Sequence, residues 1–126
     1  MKNLYIALSF AVGTLTISAQ NKDTKTADKL YKRYEYVDAA KEYLKLVENG
    51  KSDGYVYKQL ADSYYNMFNP DEAAKWYAKA VETTQDAETH YRYAQMLKAN
   101  GKYEDSNKQM QKFASLSPSD SRAKAF

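Results

Sequence analysis

Cysteine is absent from this chain of 126 residues, and glycine, proline, histidine and tryptophan occur only four, two, one and one times. Without cysteine no disulfide can form, so the stability of the fold has to come from packing. One histidine and no cysteine leave too few ligands for a zinc site of the usual composition. Gly13, Gly50, Gly54 and Gly101 are too scattered to form a phosphate-binding loop. We therefore predict no metal and no cofactor.

Strong charge of one sign is also missing. The formal net charge is only +3, whereas nucleic-acid-binding domains usually carry a concentrated basic face and a higher isoelectric point. Nucleic acid is therefore not an expected partner. Leucine, isoleucine and valine become sparse after residue 20, while alanine is abundant and tyrosine occurs 13 times. This composition is typical of helices that approach closely, with large rings filling the gaps between them.

The one long apolar stretch lies at the N-terminus. It runs from Leu4 to Ile17, follows the basic Lys2 and ends in small residues at Ala19. The stretch is shorter than the ~20 residues that span a bilayer. We interpret residues 1–19 as a secretory signal peptide, with a membrane anchor as the alternative. The mature chain is then expected to be exported, to be periplasmic or outer-membrane associated, and to have no membrane span.

Small residues recur along the rest of the chain at a fixed interval. Ala27, Ala61 and Ala94 lie 34 and 33 positions apart. A second set has the same two intervals: Ala39, Ala73 and Ser106. A period of about 34 residues is typical of stacked helical hairpins.

Each repeat predicts two helices. In the second repeat, Tyr57, Leu60, Ala61 and Tyr64 share one helical face, and Pro70 suits the first turn of the next helix. The predicted helices lie near residues 22–34, 37–49, 53–67, 70–81, 87–99 and 102–115. The last segment, residues 119–126, restarts a helical pattern after Pro118.

These residues resemble the tetratricopeptide repeat, whose pattern combines large, small and aromatic residues at set spacings. The second repeat matches it almost fully, at Tyr57, Leu60, Ala61, Tyr64, Ala73, Tyr77 and Ala80. The first repeat departs from it at Asp23 and Thr26, which suits an N-terminal cap. The resemblance implies an all-α, right-handed superhelical stack of three helix-turn-helix hairpins over residues 20–53, 54–86 and 87–118. Residues 119–126 are either a short capping helix or the start of a further repeat.

The remaining candidates for chemistry have structural explanations. His90 stands where the repeat usually places a large buried residue, so we expect a structural histidine. The acidic pairs 71–72 and 104–105 lie at predicted helix starts, where the helix dipole stabilises them. No catalytic constellation remains, and we predict a binding protein rather than an enzyme.

The opening of the chain also resembles the N-terminal region of OmpA-family envelope proteins, including PorE-like components of the type IX secretion system. Such proteins begin with a signal peptide that ends as Ser18, Ala19 and Gln20 do here, and tetratricopeptide repeats follow. The resemblance implies an envelope-associated scaffold that docks a secretion component.

Two predicted surfaces could bind partners. The first is the concave groove formed by the first helix of each hairpin, where the family binds peptides or partner loops. The predicted groove residues are Asp28, Tyr31, Tyr55, Lys58, Asp62, Tyr65, Tyr91, Gln95 and Lys98. Asp28 and Asp62 stand where a carboxylate-binding clamp would need asparagine, so that version of the groove is not expected. The alternative is that the tyrosines only shield the seams between hairpins.

The second surface is a set of lysines on the second helix of each hairpin. Its members are Lys41, Lys45, Lys75, Lys79, Lys108 and Lys112. A spacing of four residues places each pair on one helix face. This lysine face predicts an alternative function, in which the chain anchors to an anionic cell-envelope polymer. Solubility is the simpler explanation of the same pattern.

Overall fold

Seven α-helices follow one another in residues 22–126, the part of the chain that this computed structural model describes. They are α1 (Lys25–Lys32), α2 (Tyr36–Glu48), α3 (Gly54–Asn66), α4 (Pro70–Ala80), α5 (Ala87–Ala99), α6 (Tyr103–Leu116) and α7 (Ser121–Lys124). A 3-10 turn at Lys22–Thr24 precedes α1. The signal peptide predicted for residues 1–19 lies outside the described residues and stays a prediction. Within the described residues, no helix has the length and apolarity required to cross a bilayer.

The helices pack as three hairpins, α1 with α2, α3 with α4 and α5 with α6. Successive hairpins meet where α2 contacts α3 and α4 contacts α5, and α7 packs on α6. This architecture confirms the predicted all-α hairpin stack. The predicted helices agree with the observed ones to within about three residues at each end.

The recurring small residues are buried between the helices. Ala27, Ala61 and Ala94 are at most 1% exposed, and the second set, Ala39, Ala73 and Ser106, is buried as well. Tyrosine, tryptophan and phenylalanine rings fill the wider gaps between helices: Tyr43, Tyr77, Trp76 and Phe113 are all buried. The period in the sequence is therefore a period of close helix approach.

A second periodic signal marks the helix starts. Asp53, Asp86 and Asp120 each precede a helix, and each carboxylate accepts a hydrogen bond from a backbone N–H of the first turn, at 3.0, 3.1 and 2.9 Å. Such caps stabilise a helix by roughly 1 kcal/mol. The caps are 33 and 34 positions apart. Thus α7 is equivalent to α3 and α5, the first helices of the second and third hairpins.

The turns inside the hairpins share an unusual backbone conformation. Tyr34, Phe68 and Gly101 occupy equivalent positions, with φ angles of 63°, 48° and 77°. Glycine adopts such angles without steric cost, whereas other residues pay roughly 1–2 kcal/mol. The two aromatic side chains are 77% and 70% exposed, so burial of the rings does not offset that cost.

This conformation predicts the order of stability of paired variants. We expect Phe68→Gly to be more stable than Phe68→Ala by ~1 kcal/mol, because both remove the ring and only glycine removes the strain. Gly101→Ala should cost about the same amount, since an added Cβ meets no atom within 4 Å and strain is the only penalty. Urea unfolding gives these differences.

Ala78 provides the matched control, because it is exposed within the right-handed helix α4. There Ala78→Gly should lower the free energy of unfolding by ~1 kcal/mol, because a right-handed helix favours alanine over glycine. Equal stability of Phe68→Gly and Phe68→Ala would contradict the assigned turn conformation.

Candidate functional site

A concavity of about 240 Å³ crosses the first helices of all three hairpins. Its lining includes Tyr31 from α1, Lys58 and Asp62 from α3, and Glu88 and Arg92 from α5. We call this surface, together with its continuation along α5, the groove. Three of the nine predicted groove residues line this concavity: Tyr31, Lys58 and Asp62.

The sequence predicts both groove carboxylates on the surface, but the structure buries them. Asp28 is 6% exposed and Asp62 is 2% exposed. A buried carboxylate is costly unless hydrogen bonds compensate for the lost water. Both carboxylates are compensated in this way, and in both cases the central donor is a buried tyrosine.

Around Asp28, the donors come from three elements: the 3-10 turn, α2 and α3. The Tyr43 hydroxyl from α2 donates to Oδ1. Tyr55 donates to the same oxygen at 2.8 Å, and Thr24 donates to Oδ2 at 2.8 Å. Gln59 Nε2 in turn donates to the Tyr43 oxygen at 3.2 Å. The network joins α1 to α2 and the first hairpin to the second.

Asp62 repeats the arrangement one hairpin later, with charged donors. The Tyr77 hydroxyl from α4 donates to Oδ1 at 2.5 Å. Arg92 from α5 donates to the same oxygen at 3.1 Å, and Lys58 donates to Oδ2 at 3.0 Å. Arg92 occupies the position equivalent to Gln59. One carboxylate therefore joins α3, α4 and α5.

Burial holds both tyrosines in the protonated state. It raises the pKa of the Tyr77 hydroxyl well above its ordinary value, and the charge of Asp62 raises it further. Burial also raises the pKa of Tyr43, and its hydrogen bond to Asp28 adds to the effect. The neutral hydroxyls can therefore act as donors throughout the ordinary pH range.

The third hairpin lacks this pair. Gln95 and Met110 occupy the repeat positions equivalent to Asp62 and Tyr77. Phe126 occupies the repeat position equivalent to Arg92. Here the space between helices is open and forms a concavity of about 340 Å³. We call it the end pocket. Its lining residues are Tyr91, Gln95, Lys98, Tyr103, Ser106, Asn107, Met110, Arg122, Ala125 and Phe126.

A series of ion pairs runs along the groove. From Asp62 it continues through Arg92, whose Nε lies 3.5 Å from Glu88, to Arg122, which lies 2.9 Å from Glu88 and 3.0 Å from Asp120. Hydrogen bonds from Arg122 lower the pKa of Asp120 to about 2. The pairs that involve Glu88 and Asp120 are partly exposed, so each contributes little to stability, and their main effect is to hold the side chains in place.

The predicted groove tyrosines are half-buried, with part of each ring facing solvent: Tyr31, Tyr55, Tyr65 and Tyr91. The Arg92 guanidinium lies 4.9 Å from the ring centroid of Tyr65, and that of Arg122 lies 4.2 Å from that of Tyr91. These contacts fix the orientation of the rings. Lys98 is exposed, and Lys58 and Gln95 are half-buried.

The six residues of the lysine face are all exposed. Three of them interact with their own helices. Lys45 lies 2.9 Å from Glu42, Lys108 lies 3.9 Å from Glu104, and Lys75 lies 4.9 Å from the ring centroid of Trp76. These contacts reduce the positive charge that the lysine face can offer to a partner.

His90 is buried, at 3% exposure, in the position expected of a core residue. Its Nδ1 lies 2.7 Å from Gln109 Oε1, whereas its Nε2 has no hydrogen-bond partner among the described residues. No cluster of histidine and acidic residues in residues 22–126 is arranged to hold a metal ion. His90 is therefore a buried residue with one of its two ring nitrogens satisfied among the described residues.

The carboxylate–tyrosine pairs are the feature that the sequence analysis missed. A signal for them was present, because both pairs have the same separation of 15 residues and recur one repeat apart. Helical spacing predicts Asp28 and Asp62 on the groove. Period alone does not show that these carboxylates meet the tyrosines.

No protein-family model matches the chain, and no curated protein sequence matches it. Among solved structures, it is similar to PcrH in complex with the chaperone binding region of PopB. The two share 13% sequence identity at a TM-score of 0.65, and the match covers 84% of this chain and 90% of that chain. At this identity the likeness concerns the fold alone, and it supports a tetratricopeptide-like helical repeat.

The buried tyrosines predict a loss of stability in alkali. Their pKa is higher in the folded chain than in the unfolded chain, where it is about 10. The stabilisation is thus complete below pH ~10 and is lost as the pH rises, at ~1.4 kcal/mol per pH unit for each tyrosine. Tyr77→Phe should therefore make the fall in unfolding free energy between pH 10 and 12 shallower by about that amount.

Urea unfolding at a series of pH values measures this slope. Tyr103→Phe is the control, because Tyr103 is 64% exposed, and it should leave the slope as in the wild type. A Tyr77→Phe slope equal to that of the wild type would contradict the burial of this hydroxyl.

Proposed function

We propose that this chain is a protein-interaction scaffold that binds an extended peptide or partner loop in the groove. The observation that carries the proposal is the groove itself, a concavity lined by Tyr31 and by charged side chains of the second and third hairpins. Tyr65 and Tyr91 pack against the arginines of its ion-pair series. Tyrosine suits such a surface because its large rigid ring and its hydroxyl provide contact area at a low entropic cost.

The pre-organisation of the groove supports this proposal. Asp62, Arg92, Glu88 and Arg122 hold one another along the surface. The rings of Tyr65 and Tyr91 are fixed beneath the two guanidinium groups. A surface that is ordered before binding loses less conformational entropy when a peptide docks. Binding therefore does not require the hairpins to rearrange.

The likeness to PcrH is consistent with peptide binding. That structure was determined with the chaperone binding region of a second protein, PopB. A stack of the same fold can therefore hold a segment of another protein. This comparison supports the class of function, and the residues that would carry it in this chain are those of the groove.

We extend the proposal to the cell envelope. The signal peptide predicted for residues 1–19 and the resemblance to OmpA-family and PorE-like proteins support an exported chain whose partner is an envelope or secretion component. The lysine face supports an anionic polymer less well, because Lys45 and Lys108 are already paired with acids of their own helices.

Selection of peptides from a random displayed library against the purified chain tests groove binding. The combined Tyr31→Ala and Tyr65→Ala variant should weaken the binding of selected peptides by about tenfold or more, because buried tyrosines at interfaces commonly contribute over ~1 kcal/mol each. Isothermal titration calorimetry measures the affinity, and thermal melting shows whether the variant is folded.

The combined Lys41→Ala and Lys75→Ala variant is the control on the opposite surface and should bind selected peptides normally. The proposal is wrong if the tyrosine variant stays folded and binds as tightly as the wild type. Loss of binding in the lysine variant instead would favour the lysine face.

A further inference from the structure

We infer that the end pocket is an anchor site for a bulky apolar side chain of the bound peptide, with an acidic peptide residue beside it. The inference rests on the proposed function and names the chemistry of the segment that the groove would take. It comes from comparing the end pocket with the two equivalent places in the earlier hairpins.

At those two places a tyrosine ring of the chain itself occupies the space. Tyr43 and Tyr77 are both completely buried, and each ring is held by a carboxylate from the first helix of its own hairpin. A residue of the next hairpin lies against each pair, Gln59 against the first and Arg92 against the second. The chain thus fills both seams with an aromatic side chain.

At the third place the filling ring is missing. Met110 replaces the tyrosine and Gln95 replaces the carboxylate. Phe126, at the repeat position of Gln59 and Arg92, lines the open space. A concavity of about 340 Å³ remains, large enough for an aromatic or large aliphatic side chain. The fold therefore presents a ring-sized site that the chain itself does not fill.

The walls of the end pocket determine what would enter it. Tyr91, Met110 and Phe126 supply apolar surface, and Phe126 is 54% exposed. Methionine adapts its shape to different apolar partners. The Gln95 amide offers a donor and an acceptor, and its side chain has no hydrogen bond among the described residues. An apolar side chain, with or without a polar tip, fits this lining.

The charges around the end pocket favour an acidic peptide residue next to the anchoring side chain. Two cations border the end pocket, Arg122 and Lys98. Arg122 is already paired with Glu88 and Asp120. Lys98 is exposed and has no carboxylate partner in the described part of the chain. A peptide carboxylate next to the anchoring side chain would pair with Lys98.

Position also favours a peptide over an isolated small molecule. Tyr91 lies in the groove set and lines the end pocket, and the ion-pair series of the groove ends at Arg122 beside it. The end pocket thus adjoins the groove through the pair between Glu88, which lines the groove, and Arg122, which lines the end pocket. A chain lying along the groove would reach it with a side chain.

Nuclear magnetic resonance titration with short capped peptides tests the inference. The probes are acetylated, amidated tetrapeptides of sequence Gly-Phe-Gly-Glu, Gly-Ala-Gly-Glu and Gly-Phe-Gly-Gln. We expect the first to shift the amide signals of Gln95, Met110 and Phe126. It should bind about tenfold or more tightly than the alanine peptide, as expected for burying a phenylalanine side chain.

Two variants locate the site. Met110→Tyr restores the ring of the earlier hairpins, fills the end pocket and should abolish the shifts caused by the phenylalanine peptide. Phe126→Ala removes an exposed wall without disturbing the core and should weaken that peptide by about threefold to tenfold. Lys98→Gln should remove the preference of about twofold to fivefold for Gly-Phe-Gly-Glu over Gly-Phe-Gly-Gln.

Equal shifts from the phenylalanine and alanine peptides would overturn the inference, as would unchanged binding to a folded Met110→Tyr variant. Failure of the end pocket and failure of the groove are distinguishable. Library peptides that lose affinity in the Tyr31 and Tyr65 variant but not in Met110→Tyr would leave the groove standing without the anchor. Tetrapeptide shifts that Met110→Tyr abolishes would support the anchor even if no library peptide bound the groove.

Discussion

The hydrogen bond between a buried aspartate and a buried tyrosine is the interaction on which the arrangement of this stack depends. The aspartate comes from the first helix of a hairpin and the tyrosine from the second, so the bond fixes how the two helices pair. Each aspartate also accepts from a residue of the next hairpin, Tyr55 in one case and Arg92 in the other. The same carboxylate thus holds together the two helices of its own hairpin and the first helix of the next hairpin. Removing it would leave buried donors without an acceptor, which is costly.

The aspartate–tyrosine hydrogen bond is absent from the third hairpin, and this absence bears on the proposed function. The first two hairpins use the bond to close their seams, and their tyrosines are completely buried. The third hairpin has Gln95 and Met110 instead, and the end pocket opens there. A repeat array usually binds partners along its concave surface. In this chain the third seam lacks the pair and stays open, which is the observation behind the proposed anchor site.

The sequence predicted the fold well because the fold depends on period. Ala27, Ala61 and Ala94 are buried between helices, and the helix boundaries follow from turn residues such as Pro70 and Gly101. The candidate site was predicted less completely. Tyr31 and Lys58 line the observed concavity. Helical spacing also predicts Asp28 and Asp62 on the groove surface, because both are offset from the buried helix face, but the structure buries them. Their burial depends on tyrosines 15 residues away. Partners across a hairpin are set by packing geometry, which a single helix face does not show.

The most direct test compares the two equivalent positions, Asp62 and Gln95. Asp62→Ala should lower the free energy of unfolding by ~3 kcal/mol or more, because Tyr77, Arg92 and Lys58 all lose their acceptor. Gln95→Ala removes a side chain that holds no other group of residues 22–126 and should cost less than ~1 kcal/mol. Urea unfolding of the two variants beside the wild type gives both values. Similar losses in the two variants would contradict the view that the aspartate–tyrosine pair closes the first two seams and leaves the third open.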